Sequence, residues 1–399
     1  MKRAPLLSTF LLILLVVAMT YPFIWLKLSY EPLSGFLSAK IDFNRAKLFF
    51  TGLTPILLGG FLLYLISLFL KGNGFTQKKL SSIYSLYKRA RKKKYYSMTL
   101  FLLLASISWI AGPKTLNVLI MVGIYMILAL GLNITIGMTG LLVLGYAGFF
   151  SLGGYVFAIL QQWIPGFTWW MAIPVACLVG GSMGWMVGLP CLRLRGDYLA
   201  IVTLGFAESF RELVRNLPSI TGGDIGISIA SVSKVGKILG LGVISSVYLW
   251  VLLAVFLVVM ILHRLYYSPL GRAWTAIREN EIAAEAMGIP VVKMKLFAFS
   301  LSAVFAAVAG VLYTAHTGFL NPESSAFEIS VLILAMVILG GLGSIPGALL
   351  GSFLLYYIPT ILRDYIPAIS EYRLLLFGMI MVVMMLVRPQ GLLGSKDRV

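Results

Sequence analysis

The stretch GLLVLGYAGFFSLGGYVFAIL, residues 140–160, lies in the middle of the region that decides the fold. The whole run from Thr115 to Leu192 contains no Asp, Glu, Lys or Arg. A membrane-crossing helix needs about 20 apolar residues, so this run has room for three crossings with turns between them. The natural breaks are at 137–140 (GMTG) and 165–166 (PG), because glycine and proline interrupt regular structure. The sequence therefore predicts three consecutive transmembrane helices here.

The composition of the whole chain is also that of a membrane protein. Of its 399 residues, 60% are hydrophobic and only 12% are charged, whereas a water-soluble domain carries about 25% charged residues. The net charge of +18 raises the question of nucleic acid. However, the basic residues stand in short links between apolar runs, as the positive-inside rule requires. The chain is therefore predicted to be an integral membrane protein that contacts lipid and no nucleic acid.

The first 95 residues read as an N-terminal extension. Two uncharged runs, Ala4–Leu26 and Leu48–Leu70, are each long enough for one span. Between Lys71 and Lys94 the chain carries nine basic residues and no acidic one. That bias predicts a cytoplasmic loop; the alternative, a basic patch for an acidic partner, leaves the same topology. We therefore divide the chain into an extension, 1–95, and a core, 96–399.

Further apolar runs complete the predicted fold. They span Ile238–Leu262, Leu296–Thr317, Ile329–Leu362 and about Tyr372–Val387. Together with the runs above they predict an all-α, polytopic transmembrane bundle of about 10–12 spans with both termini in the cytoplasm. A re-entrant segment near 198–216 would change the count.

The candidate residues Glu208, Arg211 and Glu212 stand, together with Arg215, in the otherwise apolar segment 198–216. An ionisable side chain at membrane depth costs about 2.5–3.5 kcal/mol on insertion scales. Such groups therefore pair with one another, face a wet cavity or lie near the membrane surface. Because Glu208 has helical spacing to Arg211 and Glu212, we expect a local ion pair near a helix end, with a polar loop outside the bilayer after it.

The glycine-rich part of the uncharged run is the second candidate site. Glycines let membrane helices approach closely; alternatively, they allow a broken helix whose backbone lines a passage. Both readings stay open. The candidates for helix packing or for the translocation path are Gly140, Gly145, Tyr146, Gly148, Gly153 and Gly154.

The third candidate is a charged island, SPLGRAWTAIRENEIAAEAMGIPVVKMK, residues 268–295. Ser268 and Pro269 are typical of a helix start. No breaker follows from Trp274 to Met287, and a Gly288-x-Pro290 pattern predicts the stop. One short amphipathic helix is expected, with Ala273, Ile277, Ala284 and Met287 on its apolar face. Such a helix rests on the membrane surface or docks into a groove of a soluble partner.

Motifs for catalysis are missing from the sequence. It contains no G-x-S-x-G, no H-E-x-x-H and no G-x-x-x-x-G-K-[ST], so no catalytic residue and no ATP hydrolysis are predicted. Cys177 and Cys191 have no metal-ligand spacing, and His263 and His316 are too far apart to suggest a metal site. We expect a transport subunit without a cofactor of its own.

Four segments in one order resemble the permeases of branched-chain amino-acid ABC transporters, with the M-type subunit as the best match. The resemblance covers roughly 115–393, and urea and short-amide permeases are similar. The segments are LRLRGDYLAIVTLGF (192–206), SPLGRAWTAIRENEIAAEAMGI (268–289), VILGGLGSIPGALLG (337–351) and SEYRLLLFGMIMVVMMLVRPQGLL (370–393).

The resemblance implies a multi-pass subunit of the bacterial inner membrane that imports leucine, isoleucine, valine or related amino acids. Its partners would be a second, H-type permease, two cytoplasmic ATPases carrying ATP and Mg, and a periplasmic binding protein. A urea or short-amide permease is the alternative, and a secondary transporter a more distant one. The island would be the helix that couples to the ATPase, through Trp274, Ile277, Arg278, Glu279, Glu281, Ala284, Glu285 and Gly288.

Overall fold

The computed structural model describes residues 26–30, 37–41, 104, 112–164, 166–191, 197–229, 243–365, 378, 382 and 391–393. The described residues form eleven α-helices and four short strands. The helices are α1 (Pro113–Leu132), α2 (Tyr146–Trp163), α3 (Trp169–Cys191), α4 (Asp197–Arg215), α5 (Pro218–Thr221), α6 (Val243–Tyr267), α7 (Pro269–Glu279), α8 (Glu281–Ala286), α9 (Val291–Thr317), α10 (Phe327–Gly340) and α11 (Ile345–Tyr365). The strands are β1 (Leu26–Tyr30), β2 (Leu37–Ile41), β3 (Ile227–Ser228) and β4 (Phe319–Leu320).

The chain divides into two units, one of residues 1–98 with 361–371 and one of 99–360 with 372–399. In the first unit β1 and β2 pair antiparallel, with Leu26 opposite Ile41. This hairpin departs from the all-α expectation; alternating apolar and polar residues in LKLSY favour a strand. The two predicted N-terminal spans lie almost wholly outside the described residues, as does the basic loop. The division at residue 95 stays a prediction.

The uncharged run forms three helices, α1, α2 and α3, as predicted. Helices α1 and α3 are long and apolar enough to cross a membrane, whereas a crossing by α2 stays a prediction. Helix α1 continues into a π-helical turn, Asn133–Met138, after which the helical structure ends. Helix α2 ends at Trp163 and α3 begins at Trp169, so the second break also falls where the proline and glycine predict it.

Within the described residues, four helices are long and apolar enough to cross a membrane. They are Pro113–Met138, Trp169–Pro190, Val243–Tyr267 and Val291–Thr317, with shorter apolar helices at Phe327–Gly340 and Ile345–Thr360. This confirms a polytopic helical membrane protein. The predicted total of about 10–12 spans includes segments outside the described residues, among them nearly all of the predicted last span, and therefore stays a prediction.

Helix α9 is the central packing element of the second unit, with α2 against one side and α3 against another. Small residues make both crossings close: a side chain at Gly310 of α9 would collide with the backbone carbonyl of Phe150 in α2. On the α3 side, a Cβ at Gly184 would lie 2.7 Å from the methyl of Ala303. Glycine and alanine therefore allow the three helices to pack backbone against backbone.

A short antiparallel pair fastens the end of α9. Strand β3 pairs with β4, with Ile227 opposite Leu320. The amide of Ile229 also donates a hydrogen bond of 2.9 Å to the carbonyl of Gly318. The segment after α4 is thereby held against the C-terminal end of α9.

Candidate functional site

The charged island begins and ends as predicted but is not one helix. The Ser268 hydroxyl accepts a hydrogen bond from the Gly271 amide at 3.3 Å, capping α7, and Gly288 ends the segment with φ of +83°. Between them Asn280 adopts an extended conformation and its side chain caps α8 by accepting from Ala283 at 3.0 Å. The expectation of a continuous helix is therefore wrong. Asparagine competes for backbone donors and so favours a cap over a helix interior.

The connecting segment, residues 268–290, is anchored on α9. Trp274 is fully buried, and its indole N–H donates to the Met294 carbonyl at 2.9 Å. Ile277 and Ala284, both predicted on the apolar face, pack together with Val291. Because Ala284 is buried within the chain, it is not part of the exposed surface of α8.

The charged side chains of the segment have different surroundings. Glu281 pairs with Lys295 of α9 at 2.6 Å, where the Lys295 side chain is only 11% exposed. Arg278 donates from Nη1 to the backbone carbonyl of Gly137 at 2.6 Å, so its guanidinium is directed toward the end of α1. Glu279 and Glu285 are exposed. Of the three glutamates predicted to meet a partner, Glu281 is therefore held in an ion pair with α9.

The segment also exposes large apolar side chains that the sequence reasoning missed. Ile282 is 79% exposed and Met287 83% exposed. The sequence analysis assumed one continuous helix and so predicted Met287 on the buried face. The break at Asn280 changes the direction in which the residues after it point, and Met287 is exposed instead. Reading Asn280 as a second N-cap would have found the exposed pair.

A small cleft lies between this segment and the end of α1. It has a cavity volume of about 40 Å³ and is lined by Gly137, Met138, Tyr266, Thr275, Arg278, Glu279 and Gly343. Next to it Asn133, 1% exposed, accepts a hydrogen bond from the Gly343 amide at 2.8 Å through Oδ1. Gly140, predicted for packing or for the path, has φ of +73°, and an added Cβ would lie 3.3 Å from Cγ of Arg278.

The other predicted glycines all lie at close helix contacts. Gly145 faces the backbone of Thr203, and Gly148 lies where a Cβ would be 3.1 Å from Cα of Ala207, so both approach α4. Gly153 and Gly154 face α9 at Ala307 and Thr314. The structure thus places these glycines in helix packing; whether any of them lines a passage stays a prediction.

Tyr146 lies within the same contacts. It is fully buried, and its hydroxyl donates to the Ser302 carbonyl of α9 at 3.0 Å. Ser302 in turn donates to the Gly131 carbonyl of α1 at 2.9 Å. Tyr146 therefore joins α2 to the contact between α9 and α1.

The ionisable residues of α4 form a network at its C-terminal end. The expected local pair is present between Arg211 and Glu208 at 2.9 Å. Glu212 pairs instead with Arg215, at 3.1 Å. Arg215 also reaches Glu323 at 2.7 Å.

Arg215 is the centre of this network, although the sequence analysis named it only as a charged residue of the segment and not as a candidate site residue. Its third partner is Asp224, at 2.8 Å. Desolvation lowers the pKa of Arg215, but the surrounding carboxylates outweigh it and raise the pKa overall. The three ion pairs link α4, the loop after it and the segment after α9. The i,i+3 spacing of Arg215 from Glu212 indicated one of these pairs; the two long-range ones had no sequence signal.

Metal ligands do not cluster in the described part of the chain, where no group of three or more His, Cys, Asp or Glu side chains could hold an ion. Cys177 is a partly buried free thiol, and the side chain of Cys191 lies outside the described residues. His263 packs its ring against Tyr267 with centroids 4.9 Å apart.

Comparison with known proteins gives a consistent picture. Residues 114–385 match the family described as branched-chain amino acid transport system, permease component. Over 324 residues the chain is 41% identical to the high-affinity branched-chain amino acid transport system permease protein LivM of Escherichia coli, covering 76% of this chain and 75% of that protein.

Two further relatives are more distant. The probable branched-chain amino acid transport permease LivM of Methanocaldococcus jannaschii is 29% identical over 70% of this chain and 93% of its own length. The LivH permease of Salmonella typhimurium is 26% identical over 68% of this chain and 92% of its own. No solved structure gives a significant match. The family match covers more than half of the chain and agrees with its apolar helices, so the chain belongs to the branched-chain amino acid permease family and is a permease subunit of an ABC importer.

Proposed function

We propose that this permease carries branched-chain amino acids across the bacterial inner membrane into the cell. The observation that supports this substrate is the 41% identity with a protein named for high-affinity branched-chain amino acid transport. Urea and short amides are the competing substrates, because permeases for them resemble the same sequence segments.

The proposed assembly contains a second permease of the H type, two cytoplasmic ATPases and a periplasmic binding protein. A relative named LivH matches the same chain as LivM, which supports two related permease subunits in one system. ATP and Mg would be bound by the ATPases, since this chain shows no nucleotide-binding motif of its own.

The proposed docking surface for the ATPase is the exposed side of α7 and α8. Ile282 and Met287 present apolar surface there, with Glu279 and Glu285 beside them. Exposed apolar side chains rimmed by charge are typical of a protein interface. Because Trp274 and the Glu281–Lys295 pair fix the segment to α9, a push on this surface would tilt α6 and α9, which flank it.

The distribution of Lys and Arg supports the proposed orientation. Arg272 and Arg278 of the connecting segment, with Lys293 and Lys295, lie at the N-terminal end of α9, a helix of 27 residues and so about 40 Å long. Arg211 and Arg215 lie toward its other end, each paired with carboxylates. The excess of basic residues in and beside the connecting segment favours a cytoplasmic location for it under the positive-inside rule, with the Arg215 network on the opposite side.

The proposed passage runs beside α2 and α4. Helix α4 exposes Tyr198 and Ile201, with open space around Gly205, and helical spacing puts the ion-pair residues Glu208 and Glu212 on this same side. A second permease packed against this face would enclose a path with α4 as one wall.

Liposome transport by the native assembly tests the proposal. The chain is purified gently from its own membrane, its co-purifying proteins are identified, and the assembly is reconstituted with its binding protein. We expect ATP-dependent uptake of labelled leucine that excess urea does not reduce. If excess urea abolishes leucine uptake, the proposed substrate is wrong and a urea or short-amide permease is favoured. The absence of any co-purifying ATPase subunit would overturn the ABC mechanism for this chain.

A further inference from the structure

Three separate segments meet at one glycine. Gly137 lies in the π-helical turn at the end of α1; its carbonyl accepts from Arg278 of α7, and a Cβ on it would collide with the backbone of Gly343. Gly343 lies in the turn between α10 and α11, with φ of +76°. The connecting segment, the end of α1 and the α10–α11 turn are thus in direct contact.

The Arg278 contact is suited to carry force. The carbonyl of Gly137 is among those at a helix C-terminus that lack a partner within the helix, and the helix dipole favours a cation there. A hydrogen bond of 2.6 Å from a charged donor belongs to the stronger class of protein hydrogen bonds. Arg278 is therefore held by the transmembrane part of this chain and not only displayed on its surface.

The contacts on the far side of Gly137 extend the link. Asn133, buried in the same π turn, accepts from the Gly343 amide at 2.8 Å. A Cβ at Gly343 would lie 2.9 Å from the Gly137 carbonyl oxygen and 3.3 Å from Nη1 of Arg278. A movement of the Arg278 guanidinium therefore acts on the end of α1 through its bond to Gly137, and on the α10–α11 turn through the bond between Asn133 and Gly343.

The segments that receive this displacement can also bend. Gly140, Gly341 and Gly343 have φ of +73°, +116° and +76°, conformations that glycine adopts without steric strain. The π turn is a departure from regular α-helix of a kind frequent at functional sites. Glycines in conformations that other residues rarely adopt therefore flank the Arg278 contact on both sides.

We propose that Arg278 is a positioning residue that passes motion of the connecting segment to the end of α1 and to the α10–α11 turn. This inference rests on the proposed ABC function. It assigns Arg278 to the link between docking and transport, and the contact with the ATPase to Glu279, Ile282, Glu285 and Met287 of the docking surface.

The test measures leucine transported per ATP hydrolysed, in liposomes containing the complete transporter and its binding protein. Arg278→Gln is expected to retain ATP hydrolysis within two-fold of wild type and to lower the transported-to-hydrolysed ratio at least ten-fold. Arg278→Lys, which keeps a charged donor, should restore most of that ratio. The matched control is Arg272→Gln, because Arg272 of the same helix donates to the nearby Tyr267 carbonyl, at 3.4 Å, rather than to the end of α1.

A second variant tests the proposal if the Arg278→Gln variant does not assemble into a transporter. Gly140→Ala leaves Arg278 present but places a methyl 3.3 Å from its Cγ, and it should also lower the ratio. Gly166→Ala is its control, since Gly166 has a similar φ of +86° and no atom within 4 Å of an added Cβ.

The outcomes separate two failures. If Arg278→Gln transports as much leucine per ATP hydrolysed as the wild type, the proposed role of Arg278 is overturned. If Arg278→Gln does not assemble, a wild-type ratio of transport to hydrolysis in Gly140→Ala overturns it. A parallel fall of uptake and ATP hydrolysis also overturns it, because the residue would then serve ATPase binding or assembly. If wild-type liposomes show no ATP-dependent leucine uptake, the proposed function itself fails.

Discussion

Replacing Gly184 with alanine should force α3 away from α9. An added Cβ would lie 2.7 Å from the Ala303 methyl and 3.0 Å from Cα of Ser300, whereas ordinary contacts begin at 3.4 Å. The two helices must therefore separate by 3.4 − 2.7 = 0.7 Å at this point. Neither neighbour is a flexible side-chain end, so the separation requires backbone movement.

The size of the effect follows from two opposing contributions. Overpacking of this kind costs about 1–3 kcal/mol, while glycine to alanine within a helix gains about 1 kcal/mol. Gly205→Ala carries the same helix gain without the clash, because Gly205 lies within α4 and an added Cβ there meets nothing within 4 Å. The difference between the two variants, about 1–3 kcal/mol, therefore isolates the packing cost at the α3–α9 contact.

Thermal unfolding of the purified full-length chain in lipid nanodiscs measures this difference. A thiol-reactive dye reports exposure of the partly buried Cys177, which lies on α3 itself. We expect Gly184→Ala to unfold several degrees below Gly205→Ala. Equal midpoints for the two would refute the close α3–α9 packing.

Three further changes probe the charged and exposed sites. Glu281→Gln should destabilise the chain by about 0.2–1 kcal/mol, because the pair with Lys295 has one half-exposed partner. The unfolding midpoint measures this loss, and an unchanged or higher midpoint would argue against the pair. Glu285→Arg should abolish leucine uptake while the protein stays in the membrane, as membrane fractionation checks; normal uptake would remove α8 from the docking surface. Glu323→Gln should free Arg215 from one of its three partners and speed proteolysis of the 217–229 loop by an added protease, whereas an unchanged cleavage rate would mean that this pair does not hold the loop.

The sequence predicted the helices of the uncharged run well because the forces there are local. Glycine and proline mark where α1, α2 and α3 are interrupted, and the absence of charge fixes their environment. The start of α7 was likewise readable from Ser268 and Pro269, whose capping chemistry acts within one turn.

The break at Asn280 was missed because asparagine is tolerated in many helices and carries no obligatory stop. That one residue changes which side chains are exposed, so the apolar face assigned to Met287 was wrong while Ile277 and Ala284 were placed correctly. The contact of Arg278 with Gly137 spans 141 residues. Neither periodicity nor spacing reports a pairing over such a distance.

The Arg215 network shows the same limit. The Glu208–Arg211 pair lies within one helical turn and was expected, whereas Asp224 and Glu323 come from segments brought together by the β3–β4 pairing and the end of α9. Long-range partners of this kind depend on the tertiary fold and not on local sequence.

The small-residue crossings of α9 have a mechanical consequence. Because α2 and α3 are locked against it at Gly153, Gly310, Gly180 and Gly184, any tilt of α9 would carry both neighbours as a single slab. On α3 the side chains of Leu178 and Met186 are 75% and 60% exposed. Movement of the three helices together would therefore displace the surrounding lipid acyl chains. The free-energy cost of this movement would then depend on bilayer thickness and stiffness. The transport turnover rate should therefore vary with lipid chain length even where substrate and nucleotide concentrations are saturating.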